Sequence, residues 1–85
     1  MKTFLYTITA STGIHARVAG ALVREVRRYQ SAVTIHMGTA SIDALKPMEL
    51  TGLNIREGDP VTVTVEGPDE AEAARALEQF FKDNL

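Results

Sequence analysis

The chain has 85 residues, 45% hydrophobic and 24% charged, so it is expected to fold as one globular domain, residues 1–85, with any chemistry at its surface. Its net charge of −2 and aromatic content of 6% argue against nucleic acid as a partner, although residues 16–30 contain four arginines and one glutamate. The absence of cysteine and of any long apolar run argues against disulfides, thiolate metal sites, a signal peptide and membrane insertion, and predicts a cytoplasmic protein.

The first two predicted elements are a strand and a helix separated by a glycine turn. In residues 2–9, KTFLYTIT, the side chains of Phe4, Tyr6 and Ile8 alternate with Leu5 and two threonines, which is typical of a strand with one buried face. From Ala16 the apolar spacing is helical. The expected buried side comprises Val18, Ala19, Leu22, Val23, Val26 and Tyr29, and the opposite side carries Arg17, Arg24 and Arg28 beside the small Gly20 and Ala21.

The next two elements are predicted to form a hairpin. SAVTIHM alternates between an apolar face and a more polar face, on which His36 lies. The pair Gly38-Thr39 then makes a tight turn into ASID, a short third strand.

The last three elements are a short helix, a strand and a terminal helix. Pro47 at a first helical position and Gly52 at the end predict one or two turns, and VTVTVEG is the strongest strand. In the last helix, Pro68, Asp69 and Glu72 resemble a capping box, and the apolar stripe is Ala73, Ala74, Leu77, Phe80 and Phe81. The order βαββαβα predicts an α+β open-faced sandwich, a four-stranded antiparallel sheet with helices on one face.

His15 is the residue whose side chain is best suited to a chemical reaction. A neutral imidazole is a competent nucleophile near neutral pH, and a phosphorylated ring nitrogen passes its phosphoryl group on readily. The helix start behind it offers free backbone N–H groups, and Arg17 can add a charge-assisted hydrogen bond to an anion. The competing interpretation is that His15 is only a helix cap or a surface residue.

Other catalytic constellations are missing from the sequence. There is no glycine-rich phosphate loop, no carboxylate pair and no metal-ligand spacing, so neither a metal nor a cofactor is predicted. His36 is interpreted as a solvated strand residue. A chain that accepts a phosphoryl group without binding a nucleotide must receive it from another protein, which indicates a carrier.

The segment GIHARVAGALV resembles the active-site segment of HPr, the histidine-containing phosphocarrier of the bacterial sugar phosphotransferase system. The family pattern is Gly, an aliphatic residue, the active His, a small residue, Arg, Pro and Ala. The resemblance extends over the whole chain, through the element order, the histidine near position 15 and the tail GLNIREGDPVTVTVEGPDEAEAARALEQF.

The resemblance implies a function and a set of site residues. His15 takes a phosphoryl group on Nδ1 from a phosphoenolpyruvate-dependent donor of the Enzyme I type and passes it to a sugar-specific or regulatory acceptor, so the chain is a stoichiometric carrier and not a turnover enzyme. Ala16 and Arg17 supply backbone amides to the phosphoryl oxygens, and Thr12 is the polar residue near the imidazole. The implied docking residues are Gly20, Ala21, Arg24, Arg27, Pro47 and Met48.

Two departures from the family pattern affect these expectations. Val18 stands where the family has proline, which puts the exact geometry of the helix start in question. Lys46 stands where many Gram-positive members have a regulatory serine, so control by a serine kinase is expected to be absent. The resemblance leaves open sugar uptake, a nitrogen-related branch, a dihydroxyacetone kinase pathway or an orphan system, and the main rival is a regulatory interaction module without phosphotransfer.

Overall fold

The predicted element order is confirmed by a computed structural model that describes residues 1–85. The elements are β1 (Lys2–Thr7), α1 (Ala16–Val26), β2 (Ala32–Met37), β3 (Ala40–Asp43), α2 (Pro47–Gly52), β4 (Pro60–Glu66) and α3 (Glu70–Asn84). The four strands form one antiparallel sheet in the order β1-β4-β2-β3. None of the helices is long and apolar enough to cross a membrane.

The core lies between the sheet and the helices, where the period-two pattern of the strands meets the helical stripes. Val63 of β4 pairs with Phe4 of β1 on one side and with Ile35 of β2 on the other, and all three side chains are buried. The ring of Phe81 in α3 packs edge-on against Phe4, with the ring centroids 5.7 Å apart. These contacts fix α3 on the same face of the sheet as α1.

The other face of the sheet is uncovered and carries polar side chains. His36 is half-buried there and is hydrogen-bonded at both ring nitrogens, Nδ1 to the Ser41 hydroxyl at 2.8 Å and Nε2 to the Thr64 hydroxyl at 3.1 Å. His36 thus lies in a strand on the solvent-facing side of the sheet, as expected, and hydroxyls on both neighbouring strands hold its ring.

The helix α1 ends earlier than its apolar spacing suggests. The N–H groups of Arg28 and Tyr29 donate to the carbonyls three residues before them, at Glu25 and Val26, so the chain leaves the α-helix after Val26. Tyr29 still packs against the core, but from the turn after the helix. Its expected place on the helical stripe is therefore wrong.

The capping box expected at the start of α3 is not formed. Asp69 is the N-cap residue, but its side chain makes no capping hydrogen bond. Its carboxylate accepts instead from the N–H of Gln30 at 2.8 Å and from the hydroxyl of Ser31 at 2.5 Å. These hydrogen bonds, with that from Ser31 foremost, hold the pKa of Asp69 below its ordinary value. Asp69 therefore ties the start of α3 to the turn that follows α1.

Candidate functional site

The loop before α1 is held against the segment that follows α2. Gly13 has φ +62°, and a Cβ there would overlap the carbonyl oxygen of Ile55 and lie 2.9 Å from the Cα of Arg56. The next residue, Ile14, is buried and donates its N–H to the same carbonyl at 3.0 Å. Only glycine permits this close approach, which sets the position of the residues just after it.

His15 occupies the N-cap position of α1 and is half-buried, with extended backbone angles of φ −107° and ψ 174°. Its side chain makes no capping hydrogen bond. The interpretation of His15 as an ordinary cap therefore describes where the residue lies but not what its imidazole does. The contrast with His36, whose two ring nitrogens are both engaged, leaves His15 as the imidazole available for chemistry.

Three free backbone donors follow His15 at the start of α1. The first hydrogen bond of α1 runs from the N–H of Ala19 to the carbonyl of His15 at 2.9 Å. The N–H groups of Ala16, Arg17 and Val18 therefore have no acceptor within the helix, and no acidic residue occupies its first turn. Free amides and the positive end of the helix dipole make this end of α1 suitable for a phosphoryl group on His15.

The two polar side chains expected beside the imidazole flank it in sequence. Thr12 is exposed in the turn between β1 and α1, and Arg17 is exposed on the first turn of α1. Arg17 makes no ion pair, so its guanidinium is free to approach an anion on His15. Thr12, His15, Ala16 and Arg17 thus lie within six consecutive residues, at the turn before α1 and on its first turn.

A shallow groove between α1 and α2 opens beside this stretch. Its volume is about 250 Å³, and its lining residues are Ala16, Gly20, Pro47, Met48 and Thr51. Met48 is 85% exposed, a large apolar side chain without cover in the free protein. Three of the expected docking residues thus meet at one groove, while Thr51 was not anticipated from the sequence.

The remaining expected docking residues extend the groove along α1. Ala21 is half-buried, and the arginines Arg24 and Arg27 are exposed and make no ion pair. Arg28 differs from them because Glu25 lies 3.6 Å from its guanidinium. The unpaired cations of α1 and its C-cap are therefore Arg17, Arg24 and Arg27, and the guanidinium of Arg24 lies near Gly20, one of the groove residues.

One basic residue near the site was missed by sequence reasoning. The backbone of Arg56 lies against Gly13, two residues before His15. Arg56 and His15 are 41 positions apart in the sequence. The only local indication of an unusual backbone near Arg56 was Asn54, a residue type that tolerates the left-handed conformation it adopts here, with φ +55°.

Comparison with known proteins gives consistent matches over nearly the whole chain. Residues 2–83 match the family model described as the PTS HPr component phosphorylation site. HPr-C-His from Thermoanaerobacter tengcongensis is 29% identical with a TM-score of 0.90, covering 98% of this chain and 93% of that one. The histidine-containing phosphocarrier protein of Mycoplasma is 28% identical with a TM-score of 0.91, covering 96% and 93%.

A third solved structure is similar over a comparable length. The Bacillus subtilis catabolite repression containing protein Crh, described as an intertwined dimer with a swapping domain, is 29% identical with a TM-score of 0.78. The match covers 94% of this chain and 92% of that one. The similar proteins thus include a regulatory relative as well as phosphocarriers.

Proposed function

Because this chain belongs to the PTS HPr family, we propose that it is a phosphohistidine carrier in which His15 is the acceptor. His15 receives the phosphoryl group from a phosphoenolpyruvate-dependent donor enzyme of the Enzyme I type. It then passes the group to a sugar-specific or regulatory acceptor protein. The chain is changed and restored once per transfer, so it acts as a stoichiometric carrier.

The observation that carries this proposal is that His15, whose imidazole makes no capping bond, occupies the N-cap position directly before three free amides. In the transfer, the lone pair of Nδ1 forms the new bond to phosphorus as the bond between phosphorus and the donor breaks, and the donor keeps that electron pair. The amides of Ala16 and Arg17 and the Arg17 guanidinium then bind the phosphoryl oxygens. The reverse sequence delivers the group to the acceptor.

Partner proteins dock, in this proposal, on the groove between α1 and α2. The apolar part comprises Gly20, Ala21, Pro47 and Met48, and the unpaired Arg24 and Arg27 form its basic edge. A small apolar patch next to cations is suited to a partner surface with a protruding apolar side chain and carboxylates around it. The exposed Arg27 extends this basic edge to the end of α1.

Lys46 precedes α2 as its N-cap residue and lies 3.6 Å from Glu49. Since the family's regulatory serine is replaced by this lysine, we expect the chain to lack the serine-kinase control of its Gram-positive relatives. The charge of Lys46 is paired with that of Glu49, whereas a phosphoserine in its place would add negative charge to the docking surface.

A second candidate function follows from the similarity to Crh. A chain of this fold can act as a regulatory module that binds protein partners without transferring phosphate. This candidate gives no role to the free imidazole or to the unpaired Arg17 beside it. The phosphocarrier proposal accounts for both.

The proposal is tested by incubating the protein with phosphoenolpyruvate and a donor enzyme of the Enzyme I type. The unsubstituted protein is expected to gain one phosphate that is labile in acid and stable in base, and His15→Ala to gain none while keeping its fold. His36→Ala is the matched histidine control and is expected to be labelled normally. Loss of labelling in His36→Ala alone would contradict the assignment, and no labelling of the unsubstituted protein by any such donor would favour the regulatory module.

A further inference from the structure

The segment after α2 runs beside the phosphorylation loop in the opposite direction. Just beyond the paired residues of β1 and β4, the N–H of Ile8 donates to the carbonyl of Asp59, and farther along the chain the N–H of Ile14 donates to the carbonyl of Ile55, both at 3.0 Å. The two segments are therefore antiparallel. Since Gly13 contacts Arg56, His15 lies toward Asn54, at the end of the contact that faces α1.

The guanidinium of Arg56 is tied to this same end. With its amide oriented to satisfy both residues, Asn54 Oδ1 accepts from Arg56 Nη2 at 2.7 Å and from Nε at 3.2 Å. Asn54 has a left-handed backbone, φ +55°, and the side chains of residues 54 and 56 are exposed and in contact while Ile55 between them is buried. The guanidinium is thus held on the Asn54 side of Arg56, and along the facing loop this is the direction in which the chain runs from Gly13 to His15.

The hydrogen bonds of Arg56 fix its position without neutralising its charge. Its only side-chain partner is a neutral amide, it makes no ion pair, and it is exposed. The nearby carboxylate of Asp59 accepts from the backbone N–H of Arg56 at 2.9 Å, and Glu57 makes no ion pair with the guanidinium. A guanidinium has five N–H donors, so the two used by Asn54 leave three for an anion.

We infer that Arg56, held by Asn54, is a second cationic ligand for the phosphoryl group on His15, acting together with Arg17. The inference rests on the proposed function for its ligand, but it concerns the phosphorylated protein by itself and needs no partner. The three remaining donors of a preoriented guanidinium bind phosphoryl oxygens, and the positive charge favours the dianionic form of the group.

The test uses phosphorylation by phosphoramidate, in which a phosphorus–nitrogen bond to His15 forms as that to ammonia breaks. A His36→Gln background leaves His15 as the only imidazole. The second pKa of the phosphoryl group is then measured by ³¹P NMR in the isolated protein. Because removal of a directly bound cation destabilises the dianion, Arg56→Gln is expected to raise this pKa by about 0.7 unit, the size expected for unit charges about 4 Å apart at the dielectric constant of water.

Three further variants make the result specific. Arg75→Gln removes one exposed arginine from α3 and is expected to leave the phosphoryl pKa unchanged. Arg56→Lys keeps the charge, so its phosphoryl pKa is expected to stay close to that of the unsubstituted protein. Asn54→Gly keeps a residue that tolerates positive φ but deletes the tether, and is expected to give part of the shift.

The failure of this inference can be told apart from the failure of the proposed function. If Arg56→Gln titrates like Arg75→Gln while the donor enzyme still labels His15, Arg56 is not a phosphoryl ligand and the phosphocarrier proposal stands. If the donor enzyme fails to label His15 but the ³¹P shift is present, the phosphate site is real and the assigned donor is wrong. Equal melting temperatures of the variants show that the shift does not come from loss of fold.

Discussion

The contact between Gly13 and the segment around Ile55 provides a sharp test of how the site is built. In Gly13→Ala the new methyl group meets backbone atoms of Ile55 and Arg56, which cannot rotate away as a flexible side chain can. Gly38→Ala is the matched control, because Gly38 has nearly the same φ, +60°, and a Cβ there would meet nothing within 4 Å. Both changes place alanine in the left-handed region, but only one forces atoms to overlap.

The two costs can be separated by magnitude. Left-handed backbone costs a non-glycine residue about 1–2 kcal/mol, which is the expected loss of stability in Gly38→Ala. In Gly13→Ala the displaced loop adds about 1–3 kcal/mol, the scale of overpacking, for a total of ~2–5 kcal/mol. Because Ile14 and His15 follow directly, the displacement also moves the imidazole relative to the free amides of α1.

The assay is urea unfolding of both variants, together with the rate of phosphotransfer from the donor enzyme. Gly13→Ala is expected to lose at least ~1 kcal/mol more stability than Gly38→Ala and to be phosphorylated more slowly. Gly38→Ala is expected to transfer at the normal rate, since its turn joins β2 to β3. Equal destabilisation of the two variants would refute the argument that the loop is positioned by this contact.

Two further predictions concern charge. The double change Arg24→Glu, Arg27→Glu is expected to slow transfer from the donor strongly at low salt and less at high salt, with little change in melting temperature. The control is the double change Arg75→Glu, Lys82→Glu on α3, and equal slowing by both pairs would contradict a basic docking edge. Because the pKa of Asp69 is lowered in the folded state, its carboxylate stabilises the fold above the ordinary carboxyl pKa and stops doing so as pH falls through the lowered value. The difference in unfolding free energy between the unsubstituted protein and Asp69→Asn is therefore expected to be present at pH 7 and to disappear in acid. A difference independent of pH would contradict this prediction.

The parts of the fold that could be predicted are those set by local pattern. Alternating valines in β4 and the helical spacing of Leu22 and Val26 in α1 each identify an element by its own residues. The errors arise where distant residues compete with local ones. The carboxylate of Asp69 looked like a cap from its neighbours, but Ser31, 38 positions away, takes its hydrogen bond.

The candidate site likewise contains residues that the local sequence predicts and residues that only tertiary packing brings to it. His15, Ala16 and Arg17 are adjacent in sequence, so the helix start alone places the imidazole, an amide and a cation together. Arg56 is brought to the loop by the packing of Gly13 on Ile55, and no periodicity indicates that contact. The groove residue Thr51 was missed for the same reason, since its role depends on how α2 packs beside α1.

Val18 tests how much the phosphoryl group depends on each of the three amides. Its N–H has no acceptor in the helix, so Val18→Pro removes no helical hydrogen bond, and proline in the first turn is expected to stabilise the fold by about 0.4–1 kcal/mol. If the phosphoryl group uses this N–H, the phosphorylated form loses about 1.5–3 kcal/mol instead. Since the family pattern has proline here, we expect a higher melting temperature and an undiminished transfer equilibrium. Val18→Ala, which keeps the N–H but trims the half-buried side chain, separates the amide from the packing. A tenfold shift of that equilibrium against phosphorylated Val18→Pro, about 1.4 kcal/mol, with none in Val18→Ala, would show instead that the third amide binds the phosphoryl group.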